Sequence, residues 1–353
     1  MTMKTSIIPI FIPHIGCPHR CVFCNQWQIT GHHGLPSAEA IAKLIAAYTT
    51  SGGTDRHWEV AFYGGSFTAI PMALQTDLLR PAYEALQRGV IQRIRCSTRP
   101  DCITEDILKN LKDYGLTCVE LGVQSMDDRV LQLSQRGHTA GDVVTATALL
   151  RQYDFTVGHQ LMPGLPGEDW GSLRQTTEAI CNLAPHMARI YPVAVLKGTE
   201  LAAMYQAGQY RPLTIHEGVR RAAYMKQRFL EQGIPCIRTG LQATEDLDDA
   251  SQVIAGAYTP AMGELVDTRR YGRKLLAFLK TLSEGEPAEI RYHRRDTSRV
   301  RGYRNVTFKT AAWSIPLSLS WREGDVPLGH VRVFQGQIGY DLDMNSHAGP
   351  TMI

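Results

Sequence analysis

Up to about residue 240, short runs rich in Ile, Val, Phe and Tyr alternate with longer segments whose apolar positions recur every three to four residues. The runs at 7–12, 58–63, 91–96, 117–123, 155–161, 188–195 and 234–238 predict strands. The segments 37–50, 71–88, 104–114, 127–152, 170–183 and 214–232 predict helices. Ser37, Thr104 and Asp127 stand where N-caps belong, and Gly89, Gly115 and Gly233 where helices should stop. Strands alternating with helices imply a parallel sheet joined by right-handed crossovers, which curls toward a barrel. A closed eight-fold barrel needs about one more unit than the pattern supplies. The expected fold class is therefore α/β, an incomplete (partial) parallel β/α barrel of about six units over residues 1–240.

The pattern changes after residue 241. Residues 243–252 are polar and acidic, and a helix is predicted at 263–283. Strand-like runs follow at 289–293, 305–309, 315–321, 330–334 and 337–341, punctuated by Gly302, Gly324, Gly336 and Gly339. Residues 241–353 thus form an expected small C-terminal α+β appendage with hairpins. No internal repeat or low-complexity tract is present.

Composition adds limits. The chain has 353 residues, of which 44% are hydrophobic and 20% charged, which excludes disorder as its main theme. No apolar run approaches the roughly 18 residues that a membrane span needs. The stretch 7–13 holds two prolines and lacks a small-residue cleavage site, so it is no signal peptide. The cytoplasm is the expected compartment. The net charge of +3 conceals an asymmetry: residues 269–309 hold twelve Lys or Arg against four acids. Tyr271, Tyr292, Tyr303 and Phe308 lie among them, so this segment is a candidate RNA contact through phosphate pairing and base stacking.

Cys17-Pro18-His19-Arg20-Cys21-Val22-Phe23-Cys24 bunches three of the eight cysteines on a loop after the first strand. Clustered cysteines in a cytoplasmic chain bind metal or do redox work more often than they form disulfides. Soft anionic thiolates suit zinc or an iron–sulfur cluster. Zinc would need a fourth ligand, for which His14, His19, His32 and His33 are candidates, but the paired C-x-x-C spelling of a zinc ribbon is absent. The spacing C-x3-C-x2-C, with an aromatic before the last cysteine, resembles the signature of the radical S-adenosylmethionine (SAM) superfamily. That resemblance implies that Cys17, Cys21 and Cys24 hold a 4Fe–4S cluster whose fourth iron binds SAM. After the second strand, Tyr63-Gly64-Gly65-Ser66-Phe67 resembles the motif that holds the SAM amino group by its backbone, with Ser66 where Glu is usual.

Further stretches resemble the radical SAM core of the Elongator catalytic subunit, which modifies wobble uridine in tRNA. They are Ser97-Thr98-Arg99-Pro100-Asp101, Val119 to Ser125, Gln135 to Thr139, His159 to Gly167, and Ile190 to Val193 with Gly198 to Leu201. They run in family order, and with the cysteine loop they cover about two-thirds of the chain. Some also occur in the coproporphyrinogen III dehydrogenase-like branch. Carried over by position, Gln124 and Arg136 resemble residues that hold the SAM carboxylate and ribose; an Arg fork suits a carboxylate. Relatives carry an acid at Ser97, and Arg99 or Asp101 is a candidate to compensate.

The resemblance implies a SAM-cleaving radical enzyme served by an electron donor such as flavodoxin or ferredoxin. Two other readings stay open: a small-metabolite substrate, or a non-catalytic metal-containing module that binds RNA or protein. No acetyltransferase domain is expected in the residues after the barrel, and no cobalamin or second-cluster domain ahead of Cys17. Neither an oligomeric state nor a catalytic residue beyond the cofactor site is assigned. His159, Gln160 and Tyr191 are pocket-lining candidates.

Overall fold

The structure is a computed structural model that describes residues 4–12, 17–25, 34–51, 56–241, 252–346 and 348–353. Seven parallel strands form its main sheet: β1 (Lys4–Ile12), β2 (Arg56–Gly64), β3 (Arg93–Thr98), β4 (Leu116–Gln124), β5 (Thr156–Leu161), β6 (Met187–Ile190) and β8 (Cys236–Thr239). They lie side by side in that order and curl into a half-barrel, as the strand–helix alternation predicts. The crossover helices are α1 (Ala38–Ser51), α2 (Met72–Gln87), α3 (Glu105–Asp113), α5 (Ala140–Gln152), α6 (Trp170–Leu183) and α8 (Ile215–Glu231). Every second strand residue, among them Phe62, Ile94, Val119 and Val157, packs on helix residues such as Leu79, Leu108, Leu150 and Phe229. Each such burial stabilises by about 1.5–3 kcal/mol.

At its centre the other face is charged, although parallel sheets usually bury apolar residues on both sides. Arg95 Nη2 donates to Glu120 Oε1 at 2.6 Å and Arg95 Nη1 to Glu59 Oε2 at 3.1 Å. Arg189 grips both oxygens of Glu120 and donates to the Tyr63 hydroxyl at 3.0 Å. Each buried charge therefore has a partner, as burial demands.

Two predicted elements are broken. The helix expected over 127–152 divides into α4 (Asp128–Leu133) and α5, because Gln135 (φ 52°) and Gly137 (φ 74°) turn left-handed between them. The strand expected over 188–195 divides into β6 and β7 (Ala194–Leu196) around Pro192, which has no N–H for a ladder. β7 pairs antiparallel with β9 (Val253–Gly256), and α7 (Glu200–Gln206) follows it.

A five-stranded mixed sheet follows, in the order β11-β10-β12-β13-β14. Its strands are β10 (Ala288–Tyr292), β11 (Leu319–Glu323), β12 (His330–Gln335), β13 (Ile338–Asp343) and β14 (Thr351–Met352). The helix predicted at 263–283 is α9 (Met262–Leu279). It joins both apolar cores: Met262 and Val266 belong to the first, Tyr271, Leu275 and Leu279 to the second. The run 305–309, predicted as a strand, instead opens α11 (Val306–Ser314), which follows the short α10 (Thr297–Arg301). Thr307 and Ala311, one turn apart, bury that helix's inner face, so packing overrides the β-branched local preference. Residues 243–251 of the acidic stretch lie outside the described residues. No helix among the described residues is long and apolar enough to cross a membrane.

Candidate functional site

The loop Cys17–Asn25 follows β1 at the C-terminal end of the sheet and is held from two sides. On one side, Val22 N donates to Ser134 O at 3.2 Å, and Arg136 Nη1 donates to Cys21 Sγ at 3.1 Å. On the other, Leu201 N donates to Val22 O at 2.7 Å. Val22 itself is buried with Leu165, Val193, Val195 and Leu201. Gly137 lies beneath the loop: a Cβ there would stand 2.2 Å from the exposed His19 ring, so a larger residue would push the imidazole aside. His19 packs on Gly137 and lines the same cavity as the cysteines, while His14, His32 and His33 lie outside the described residues.

Cys17, Cys21 and Cys24 line a cavity of about 540 Å³ at the strand ends. Among the described residues no three His, Cys, Asp or Glu side chains close on a single metal ion. Three thiols set around one cavity are soft ligands of the kind an iron–sulfur cluster takes.

The same cavity is lined by Gly64, Gly65, Ser66, Ser97, Arg99, Gln124 and Arg136, so the residues singled out in the sequence converge there. Gly64 has φ 104° and lies so close to β1 that a Cβ would sit 3.0 Å from Ile12 O; Gly65 N donates to that carbonyl at 2.6 Å. Ser66 Oγ stands 3.5 Å from Cys17 Sγ. Ser97 Oγ reaches only the Phe62 carbonyl, at 3.5 Å. Arg99 forks onto Asp101 at 2.9 and 3.0 Å and also donates to the Arg136 carbonyl. Gln124, at the bulged end of β4, is held at φ 66°, a costly conformation for a side-chain-bearing residue. Arg136 Nη2 donates to Gly122 O at 2.6 Å, and a Cβ on Gly122 would press on both Gln124 and Arg136.

Three buried polar atoms on these cavity residues have no hydrogen-bond partner among the described residues: Arg99 Nη1, Gln124 Oε1 and Arg136 Nε. Such an orphan typically costs about 1–3 kcal/mol. Two cationic donors and an amide acceptor beside thiols fit a ligand that carries carboxylate, amino and hydroxyl groups, as SAM does.

Thr98, Gly122, Gln160, Thr199 and Glu200 also line the cavity. Glu200 accepts from Gln135 Nε2 at 2.7 Å. The sequence reading does not single it out, although its Gly-Thr-Glu-Leu stretch carried a signal. Of the three strand-end candidates, Gln160 lines the cavity. Tyr191 is bound to Arg189 Nη1 at 3.3 Å. His159 faces the helices and bonds Thr147 at 3.0 Å, so its candidacy as a pocket residue is withdrawn. Burial lowers its pKa to about 3. His138 behaves alike: burial, then the Arg136 charge, lowers it to about 3, and its Nε2 sits 3.2 Å from Val123 O. The Gly-Leu-Pro-Gly loop after β5 is fixed by its own hydrogen bonds. Gly164 N donates to Glu168 Oε1 at 2.8 Å and its carbonyl accepts from Tyr210 at 2.6 Å. Burial pushes the Glu168 carboxyl up to about 7 against the pull of Arg221.

A half-barrel with three thiols beside a polar cavity at its strand ends defines the class. The radical SAM superfamily profile matches residues 11–180 and the radical SAM C-terminal domain residues 185–271. The chain belongs to the radical SAM superfamily, whose enzymes use a 4Fe–4S cluster and SAM. Within it the chain is Elongator-like. It is 31% identical over 303 residues to a tRNA uridine(34) acetyltransferase of Methanocaldococcus jannaschii, a match covering 74% of this chain and 54% of that one. It is 30% identical over 224 residues to an uncharacterized protein of the same organism, covering 60% and 67%. The Elp3 structure of Methanocaldococcus infernus, deleted at its N-terminus, superposes with a TM-score of 0.62 at 19% identity, covering 97% of this chain and 75% of that one. The chain spans about half the length of the tRNA uridine(34) acetyltransferases it matches.

Proposed function

We propose that this radical SAM enzyme acts on RNA, with tRNA the first substrate to test. The observation that carries the reading is the likeness to tRNA uridine(34) acetyltransferases across 74% of this chain. It concerns the radical step alone and not acetyl transfer. In this reading Cys17, Cys21 and Cys24 hold the 4Fe–4S cluster. Gly64, Gly65 and Ser66 present backbone to the SAM amino group, with Ser97 and Arg99 beside them. Gln124 and Arg136 take its carboxylate and ribose side. When bound, cluster and SAM supply one-electron cleavage to a 5′-deoxyadenosyl radical.

The chain's own part is positioning and exclusion of water. Arg136 links the two halves of the site, since one guanidinium nitrogen bonds Cys21 and another bonds Gly122. The paired charges of Glu59, Arg95, Glu120 and Arg189 fix the interior face of the half-barrel. The electron enters from a flavodoxin- or ferredoxin-type donor. RNA contact falls to the basic segment 269–309, and the cytoplasm is the compartment where such a substrate and eight free cysteines fit together. The domain division at 240/241 belongs to the same reading.

Anaerobically reconstituted protein, given SAM, dithionite and bulk tRNA, should form 5′-deoxyadenosine faster with tRNA than without, and leave a mass-shifted nucleoside. If tRNA changes neither rate nor nucleoside mass while a small-metabolite extract accelerates turnover, the RNA reading fails.

A further inference from the structure

The cations of residues 269–309 differ in what they touch. One group is spent on the fold. Arg270 pairs with Asp267 at 3.0 Å, Arg291 with Glu289 at 2.6 Å and Arg299 with Asp296 at 2.9 Å. Lys274 Nζ donates to the carbonyls of Asp343 and Ser346 at 2.7 and 2.6 Å. Tyr271 and Tyr292 are likewise buried in the second core rather than offered to a ligand, and Phe308 lies under Arg301 and against Trp321. These residues leave the candidate RNA surface.

Of the cations without an ion pair among the described residues, Arg269, Arg273 and Lys280 lie along and just past α9, and the rest gather in one place. Arg294, Arg295 and Arg304 are exposed and form no ion pair among the described residues. With Arg301 and Ser298 they line a hollow of about 430 Å³ between α10 and the start of α11, with Glu264 as the acid on its wall. Immediately beyond, the outer face of α11 carries Val306, Lys309, Thr310 and Trp313, all exposed at helical spacing. Trp313 is 89% exposed and Val306 50%. The helix places the indole about 10 Å from its first residue, so hollow and indole address neighbouring parts of one ligand.

We propose that this hollow and the outer face of α11 bind single-stranded RNA, with phosphates at Arg294, Arg295 and Arg304 and an unpaired base stacked on Trp313. The inference rests on the RNA-substrate reading and deepens it by naming the surface. Charge chooses the occupant, because unpaired guanidiniums beside a lone carboxylate call for a polyanion. A single projecting indole lacks the apolar surroundings of a protein-binding core but suits a base face, and duplex RNA keeps its base faces stacked.

The test uses the full chain with three fluorescent probes: a short oligouridine, a blunt RNA duplex and a tRNA transcript. Anisotropy is followed across salt concentrations. Trp313→Ala should weaken oligouridine at least about fivefold and leave the duplex unchanged. The triple variant Arg294→Ala, Arg295→Ala, Arg304→Ala should lower the salt slope for oligouridine by about 2. Unfolding midpoints should not move, since the four side chains are exposed. If both variants bind oligouridine and tRNA as the wild type does, this surface is wrong while the RNA reading stands. If the wild type binds no RNA and tRNA leaves turnover unchanged, both fall. If the wild type elutes as a dimer and Trp313→Ala as a monomer, a second copy covers this face and the inference is overturned.

Discussion

Gly137 shows how single positions in the site are set by their neighbours. Its left-handed φ of 74° turns the chain out of α4, and its missing Cβ makes space for the His19 ring of the cysteine loop. Gly89 is the natural control: its φ is 70°, but nothing lies within 4 Å of where its Cβ would be. Alanine at either position should cost about 1 kcal/mol or more from backbone strain alone. Only Gly137→Ala should also displace His19 and lower iron incorporation. Urea unfolding with iron counted per chain after reconstitution separates the two effects, and equal iron in both variants would remove His19 packing from the account. Gln124 makes the same point through a side chain. Its strained φ and its unpaired Oε1 are both invisible in sequence, where only the Gly-Val-Gln-Ser motif marks it.

At the scale of elements, strands and helices of the half-barrel were legible because their periodicity and caps agree. Thr104 and Asp127 do cap their helices through side-chain oxygens. What stayed hidden depends on long-range packing. The 134–139 turn exists because Arg136 must reach Cys21 and Gly122. The 305–309 run becomes helical because Thr307 and Ala311 find a buried seat. His159 looked like a pocket residue at a strand end, but β5 alternation turns it outward onto Thr147 of α5.

That placement makes a pH prediction. His159 and His138 are held neutral, with pKa values near 3 against an ordinary 6.5. A depressed pKa means that the unfolded chain binds the proton first. The stability they contribute is present above pH 6.5 and drains away as pH falls toward 3. Between pH 7 and 5 each should cost about 2 kcal/mol. His159→Gln should make the change between the two pH values smaller by about 2 kcal/mol in urea titrations. An unchanged slope would show that His159 is not held neutral by burial.

At the scale of the whole molecule, α9 welds the two cores. Lys226, Arg270 and Arg299 all converge on the nearly buried Asp267 of this helix, so the second sheet is tied to α8 of the half-barrel. The site was legible in its cysteines and glycines and in the order of its motifs. Thr98 and Glu200 carried no signal beyond their motif stretches, since only the fold brings the end of β3 and the start of α7 to one cavity. The basic segment was legible as charge but not as surface. Three of its five aromatic residues, Tyr271, Phe278 and Tyr292, went into the core, and the most exposed aromatic nearby, Trp313, lies four residues beyond it.

In the proposed function, three thiols and the polar cavity beside them hold a cluster and SAM. The most direct measurement is anaerobic reconstitution followed by iron and sulfide analysis and a SAM-cleavage assay, on the wild type and on Cys17→Ser, Cys21→Ser and Cys24→Ser. The wild type should carry about four irons with matching sulfide and release 5′-deoxyadenosine and methionine on reduction. Each variant should lose both properties while keeping its fold. A wild type that takes up one zinc and no sulfide, or forms its cluster equally well without these cysteines, would contradict the account.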